Sequence, residues 1–365
     1  MLSISILIPL NGEKEIPETI ESVVGQYYEK CEVLILRNDI SNLPEGTEVT
    51  ESGGDGDAAK MPIREILIRK KGKGNALNVG IKYATGDFVC VLDADCVLEK
   101  NAFFTAMRHF EDVSVSAVGG RLKAVSEKNN LLVFLQKIEY MKTFNIWRSI
   151  FNHLGANCLI SGAYGIFRKY DIELVNGYDA DTVGEDMEDV LSMQELLRGI
   201  GRKVVYEKDS ICYTGTPATM HRLLRQRDRW QRGVLDCLIK HERLIFNPQY
   251  GFLGCAVIPY QIFVELLGPI FIILNLVNLI FAGIDFEVYF ATIEIVKIVH
   301  VKQYWSLYIV YLCFEMLLTW YAEYLECGKW YVHITKISEA AVAVVFGTLL
   351  SVPLAIARLW GMITF

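Results

Sequence analysis

The last 115 residues of this 365-residue chain are poor in charge: Lys, Arg, Asp and Glu fill 13 of them, against 66 of the first 250. The fall marks a passage from a water-soluble body to a membrane-embedded tail. Positive charge is also short. At a formal net charge of −7 the chain offers no basic field to a polyanion, and nucleic acid is excluded as its partner. The nine cysteines and six histidines never fall at CxxC or HxxxH spacing, so no zinc site is expected. An odd number of cysteines scattered through strand-like and membrane-like runs argues for reduced thiols and a cytosol-facing body. No leader is expected either, because Ser3-Ile4-Ser5-Ile6-Leu7-Ile8-Pro9 lacks a basic start and a small-residue cleavage site and reads as a buried strand. There is no GxxxxGK[ST] loop, and no internal repeat of the kind from which transporters are built.

What is present begins with alternation. Residues 4–8, 32–36, 63–68 and 87–92 are β-rich apolar runs, and 16–26 and 74–84 carry helical patterning. Strand and helix in turn predict an α/β domain with a mostly parallel sheet, whose ligands sit at the carboxyl ends of the strands. Residues 41–60, with Ser52-Gly53-Gly54-Asp55-Gly56-Asp57, read as a polar loop. From about 126 to 250 the chain reads as helix-rich and closes on a basic amphipathic helix over 219–243. There Met220, Leu223, Leu224, Trp230, Val234 and Leu238 form an apolar stripe beside Arg222, Arg225, Arg227, Arg229 and Arg232.

The division at residue 250 gives two domains, 1–250 and 251–365. Residues 251–284 hold one charge, Glu265, and two prolines, Pro259 and Pro269. A straight helix of that length would be roughly 50 Å long, beyond a hydrocarbon core of about 30 Å. An interfacial segment broken near Gly268-Pro269 and followed by a span is therefore expected. Residues 306–324 and 340–360 are further spans, interrupted by Glu315, Glu323 and Arg358, which gives about three in all. The stretch 286–299 is too short to assign.

Four motifs carry chemistry. Asp93-Ala94-Asp95 follows the wholly apolar run Phe88-Val89-Cys90-Val91-Leu92, so its two carboxylates emerge at a strand end, where they can hold a hard divalent cation that also takes diphosphate oxygens. Lys70-Lys71-Gly72-Lys73-Gly74-Asn75 puts cations and glycines at a helix start, suited to phosphate, although such clusters are more often solvated loops. Gly184-Glu185-Asp186-Met187-Glu188-Asp189 crowds four acids into six positions; one would merely cap a helix, while another could deprotonate an acceptor hydroxyl. Gln226, Arg229 and Trp230 share a helix face at i, i+3 and i+4, where an amide, a guanidinium and an indole could hold a sugar and a diphosphate.

Together with Asn11-Gly12-Glu13, Gly74-Asn75-Ala76-Leu77-Asn78, Ser161-Gly162-Ala163-Tyr164-Gly165 and Thr216-Pro217, these elements fall in an order and spacing that resembles the membrane-integrated inverting glycosyltransferases of family 2, the group of the cellulose, chitin, hyaluronan and poly-N-acetylglucosamine synthases. The resemblance covers roughly residues 3 to 270. It implies a GT-A-like (Rossmann-like) catalytic domain followed by interfacial and transmembrane helices, in a multi-pass protein of the cell membrane with its catalytic domain in the cytosol. It implies transfer from a nucleotide-sugar, best a UDP-sugar, to a glycan or lipid-linked acceptor at the bilayer, with synthesis of a β-linked polysaccharide. The alternatives are transfer of a single sugar, or a non-catalytic sugar-nucleotide-sensing subunit. Residue by residue, Asp186 is matched to the general base, with Glu185 beside it, and Asp95 to the ligand of Mg²⁺ or Mn²⁺. Asp39, Lys73, Asn75, Asp93 and Arg229 are matched to the nucleotide-sugar, Gln226 and Trp230 to the acceptor, and Thr216 and Pro217 to a loop that closes over the nucleotide. Asn38-Asp39-Ile40-Ser41 departs from the family's usual Asp-Asp-Gly-Ser. The further partner implied is a second copy of the chain or another membrane subunit.

Overall fold

The computed structural model describes residues 2–11, 16–38, 49–53, 61–282, 301–327 and 334–363. Asp39, Gly12, Glu13 and the stretch 286–299 lie outside the described residues. The strands are β1 (Ile4–Asn11), β2 (Cys31–Asn38), β3 (Val49–Gly53), β4 (Ile63–Ile68), β5 (Phe88–Leu92), β6 (Cys96–Leu98), β7 (Val115–Val125), β8 (Tyr164–Arg168) and β9 (Lys203–Gly215). The α-helices are α1 (Pro17–Val24), α2 (Lys73–Tyr83), α3 (Ala102–Met107), α4 (Leu131–Lys142), α5 (Arg148–His153), α6 (Lys169–Leu174), α7 (Glu185–Leu196) and α8 (Met220–Lys240). They continue with α9 (Ile258–Ile262), α10 (Gly268–Ala282), α11 (Val301–Cys327) and α12 (Ile334–Ile363).

These elements fall into two units. The first comprises Met1–Glu127, Trp147–Thr216 and Arg232–Tyr260. It is built on one sheet of strand order β3-β4-β2-β1-β5-β8-β7-β9-β6. The β4-β2-β1-β5 portion is parallel, and the rest is mixed, with β8 antiparallel to both β5 and β7. A mostly parallel sheet is the expectation from residues 1 to 120; the β4-β2-β1-β5 portion meets it, and β7 and β9 form a further parallel pair. The antiparallel pairings of the other half come from β8 against β5 and β7 and from β6 against β9. Strands β8 and β9 lie inside the stretch that reads as helix-rich, where β9 alternates buried and half-exposed residues too weakly to stand out. Likewise β3 lies within the expected loop of 41–60 and pairs antiparallel with β4 as an edge strand.

Strand β1 lies between β2 and β5, so the chain moves from one side of β1 to the other, and the crevice at the carboxyl ends of β1 and β5 is the topological switch point where open α/β sheets bind ligands. All five residues of β5 are buried, which fixes Asp93 as the first residue free to leave the sheet. Behind the crevice, Leu7, Leu34, Leu36, Leu77, Val89 and Val190 belong to one buried core that packs α2 and α7 against the strands.

The second unit comprises Lys128–Ile146, Pro217–Gln231 and Gln261–Phe365. Helix α8 runs from it into the first unit as one continuous element. Pro269 was expected to break the helix near Gly268. Instead the backbone at Gly268 stays helical, with φ −51° and ψ −51°, and a π-helical turn over Phe263–Leu267 leads directly into α10. A wider turn of this kind absorbs the amide hydrogen that proline lacks. Leu253–Leu274 is long and apolar enough to cross a membrane, with mean hydropathy 2.0. Within this unit three of the charges that interrupt the apolar helices are paired: Arg358 lies 3.3 Å from Glu265, and Glu315 lies 2.7 Å from Lys142.

Candidate active site

The sequence-assigned acids of the first unit converge at the end of β5. Asp93 follows the strand, and its backbone N–H donates to the Ala163 carbonyl at 3.0 Å. The intervening Ala94 carbonyl accepts the Thr19 hydroxyl at 2.9 Å, which ties the Asp93–Asp95 turn to α1. Lys73, the first residue of α2, reaches across to Asp93 Oδ1 at 2.6 Å and to the Gly162 carbonyl at 2.8 Å. On the other side of Gly162, its N–H donates to Asp186 Oδ2 at 2.9 Å, while Asp186 Oδ1 accepts the Met187 N–H at 3.0 Å. Gly162 is thus gripped from both ends. A Cβ there would stand 3.2 Å from both the Asp186 carboxylate and Lys73 Nζ, so any other residue would press the two arms back by a few tenths of an ångström. Lys73, Ser161, Gly162, Tyr178, Glu185 and Asp186 line one pocket together with apolar side chains beneath them.

Electrostatics sort the four acids of the α7 motif. Helix α7 has no side-chain N-cap, and Glu185, Asp186 and Glu188 occupy its first turn, where the helix dipole favours negative charge. Glu185 and Asp186 remain half-buried at the pocket. Asp189 is fully buried, and among the described residues neither of its oxygens has a hydrogen-bond partner. Burial, reinforced by Glu188 and Asp186, pushes its carboxyl well above the ordinary carboxylate range. Burial by itself would lower the Lys73 ammonium, but Asp93, Glu185 and Asp186 outweigh it and the pKa is raised, so Lys73 stays a cation among these carboxylates.

Asp95 is exposed beside Gly215, where a Cβ would lie 3.1 Å from Oδ2. The glycine places no side chain against that carboxylate. Asn75 directs its amide back to the Lys71 carbonyl at 2.8 Å, bracing the loop ahead of α2. Thr216 is anchored by its N–H and hydroxyl to the Val125 carbonyl at 3.0 and 3.2 Å.

The remaining assigned residues lie in the second unit. The Pro217 carbonyl accepts the Gln136 amide at 2.8 Å. Gln226 is half-buried on α8, and Arg229 is exposed. Trp230 is 38% exposed, and the Arg227 guanidinium sits 4.5 Å from its ring centroid while also pairing with Glu139 at 2.7 Å. One face of the indole is therefore already covered.

Sequence reasoning missed two supports. Asn78 accepts the Tyr178 N–H at 2.8 Å and donates to the Tyr178 carbonyl at 2.7 Å, and Gly177, with φ +71°, permits that approach. Nothing in the local pattern announces a contact across 100 residues. Arg227, inside the Gln226-to-Trp230 element, reads in sequence as one more cation of a basic stripe, but it is buried.

Comparison with known proteins fits this arrangement. Residues 5–174 match the family described as Glycosyl transferase family 2. The matched stretch, just under half of the chain, is similar to that family. Over 236 residues, 64% of this chain, the sequence is 30% identical to the poly-beta-1,6-N-acetyl-D-glucosamine synthase of Staphylococcus aureus strain COL. It is 28% identical over 239 residues to the synthase of that name from Staphylococcus epidermidis, covering 65% of this chain and 56% of the relative. The chain spans about half the length of these curated relatives, 55% of the Staphylococcus aureus protein. A mannosyltransferase of Pyrobaculum calidifontis, solved with GDP-Man and Mn²⁺, superposes with TM-score 0.58 at 16% identity, over 98% of this chain and 87% of that one, a likeness of fold. The fold of the first unit is thus a GT-A-like mixed α/β sheet.

Proposed function

We propose that this protein is a membrane-bound inverting glycosyltransferase that moves a sugar from a nucleotide-sugar, best a UDP-sugar, to a glycan acceptor and so builds a β-linked polysaccharide. The observation that carries the reading is the Asp186 carboxylate, fixed by the Gly162 amide at the switch-point crevice beside the Lys73–Asp93 pair. The likeness to the two staphylococcal synthases supports the substrate class and the product.

In this reading Asp186 takes the proton of an acceptor hydroxyl while that oxygen forms its bond to the anomeric carbon. The bond from that carbon to the diphosphate oxygen breaks on the opposite face, the nucleoside diphosphate leaves with the bonding pair, and configuration inverts. Glu185 flanks the base. Lys73, with Asn75, Asp93 and Arg229, is assigned to the donor, and Lys73 keeps a positive charge where the diphosphate develops negative charge. Gln226 and Trp230 are assigned to the acceptor, Thr216 and Pro217 to the closing loop, and Asp39 to the base of the nucleotide.

A divalent cation, Mg²⁺ or Mn²⁺, fits these residues. Among the described residues no group of three or more His, Cys, Asp and Glu forms a complete cage, but the exposed Asp95 carboxylate, with Asp93 two residues before it, supplies hard oxygen donors to which diphosphate oxygens would add. Such an ion would neutralise charge on the leaving diphosphate.

The proposed organisation places residues 1–250 in the cytosol and 251–365 in the membrane as interfacial segments and about three spans, in a multi-pass protein of the cell membrane. The apolar Leu253–Leu274 helix supports it, as do the free thiols of Cys31, Cys90, Cys96, Cys158, Cys212 and Cys237. A second copy or another membrane subunit would complete the assembly. Purified protein in detergent, supplied with a labelled UDP-sugar and a short glycan, is expected to release nucleotide and lengthen the glycan. Absence of both from every nucleotide-sugar contradicts the reading.

A further inference from the structure

The last turns of α8 are fastened to the start of α7 at successive points. Gly233 crosses Gly184 backbone to backbone: a Cβ on Gly184 would lie 2.8 Å from the Gly233 carbonyl oxygen, and one on Gly233 would lie 2.8 Å from the Gly184 Cα. One turn on, the Cys237 thiol donates to the Gly184 carbonyl at 3.4 Å. Lys240 then pairs with Asp179 at 2.7 Å. The seam ends at His241, which is 7% exposed and stands between two carboxylates of α7, with Nδ1 2.7 Å from Glu195 Oε2 and Nε2 3.5 Å from Glu188 Oε1. The Ser192 hydroxyl donates to the same Glu188 oxygen at 2.8 Å.

Each imidazole nitrogen faces a carboxylate. A neutral ring carries one N–H and leaves the other nitrogen's lone pair against an anion; the imidazolium donates to Glu195 and sets its second N–H toward Glu188 as an ion pair, at a distance where Nε2 makes no hydrogen bond. Glu188 lies two residues after Asp186 in the opening turns of α7, and Gly184, the residue under Gly233, immediately precedes Glu185. A shift of this seam therefore moves the turn that carries the base.

We propose that His241, as an imidazolium, is a positioning residue for sugar transfer, clamping α7 through Glu188 and Glu195 so that Asp186 stays on the Gly162 amide. The proposal rests on the reading of Asp186 as the base. Burial alone would lower the His241 pKa, but Glu188 and Glu195 outweigh it and raise it above the usual value. Burial would raise Glu188, but His241 and Ser192 hold its carboxyl below the ordinary range. The other charges of the seam are Lys240, paired with Asp179 and with Asp236 at 3.6 Å, and Glu242 and Arg243, which follow His241 in the chain. Since the folded pKa of His241 is raised, the clamp is fully present below about pH 6.5 and is lost as pH rises through the raised value.

The test compares wild type, His241→Gln and Glu195→Gln in detergent, reading kcat, donor KM and the thermal midpoint from about pH 6 to about pH 9. The wild-type kcat is expected to fall along an alkaline limb while donor KM holds. Glu195→Gln, which removes one stabilising carboxylate, is expected to move that limb to lower pH. His241→Gln is expected to lose the limb and to run about tenfold slower on its acid side, with donor KM within about twofold. Its thermal midpoint should fall short of wild type most at low pH and converge at high pH. A His241→Gln enzyme that keeps the wild-type limb, or a Glu195→Gln enzyme whose limb does not move, overturns the proposal. Wild-type protein that transfers no sugar overturns the functional reading instead, and the clamp is then decided by the midpoints: superposable curves against pH for wild type and His241→Gln reject it.

Discussion

Asp186 Oδ2 accepts the amide hydrogen of Gly162 at 2.9 Å, so the carboxylate assigned as base is held by backbone rather than by another titratable side chain. An amide donor keeps its proton at every pH of interest. It orients the carboxylate without competing for the proton that the carboxylate is to receive.

Asp186→Asn keeps the size of the side chain and removes its basicity. Transfer is expected to fall by about a hundredfold or more. Donor affinity should stay near wild type, because Asp93, Asp95 and Lys73 are untouched. Nucleotide titration by calorimetry beside a transfer assay checks both halves, and turnover near wild type would reject Asp186 as the base.

Lys73→Met removes the cation shared by Asp93 and the Gly162 carbonyl and leaves Asp93, Glu185 and Asp186 without it. Donor affinity is expected to drop about tenfold, the scale of a charge-assisted hydrogen bond. Pairing it with Asp93→Asn should cost less than the sum of the two single changes, since the partners are lost together. Strict additivity would mean that the 2.6 Å pair does not act as a unit.

Asp95→Ala is expected to abolish the dependence of nucleotide binding on added Mn²⁺ or Mg²⁺, because it removes the exposed carboxylate at the strand end. Gly215→Ala should weaken the same dependence without touching a carboxylate, since its methyl group would crowd Asp95 Oδ2. Isothermal titration with and without metal reads both. Unchanged metal dependence in Asp95→Ala moves the site elsewhere.

Trp230→Ala tests a sugar-stacking role for the indole face that Arg227 leaves open. If that face holds an acceptor sugar, glycan transfer is expected to fall more than hydrolysis of donor by water, which needs no stacking surface. An interfacial anchor predicts equal losses in the two reactions. Both rates measured on one purified preparation separate them.

The parallel portion of the sheet was legible because its signal is local. β1, β2, β4 and β5 are short apolar runs between turn residues, and the acids at the end of β5 followed from its five buried positions. β8 and β9 were not legible, since their place depends on pairing with strands far off in sequence. For the site, the local motifs pointed to Lys73, Asp93, Asp95 and Asp186. The grip of Lys73 and Asp186 on opposite ends of Gly162 did not follow from them, because those residues are 89 and 24 positions from Gly162 and only the fold brings them together. Arg227 does not stand out because a helical cation looks the same in sequence whether it faces water or, as here, is buried under an indole and paired with a part-exposed Glu139.

The most direct measurement is transfer from a panel of labelled nucleotide-sugars by wild type and Asp186→Asn in parallel, reading nucleotide release, product length and anomeric configuration. The account predicts release coupled to growth of a β-linked glycan from one donor by wild type, and loss of both in Asp186→Asn with nucleotide still bound. A product that retains the donor's configuration, or equal transfer by the two proteins, would contradict it.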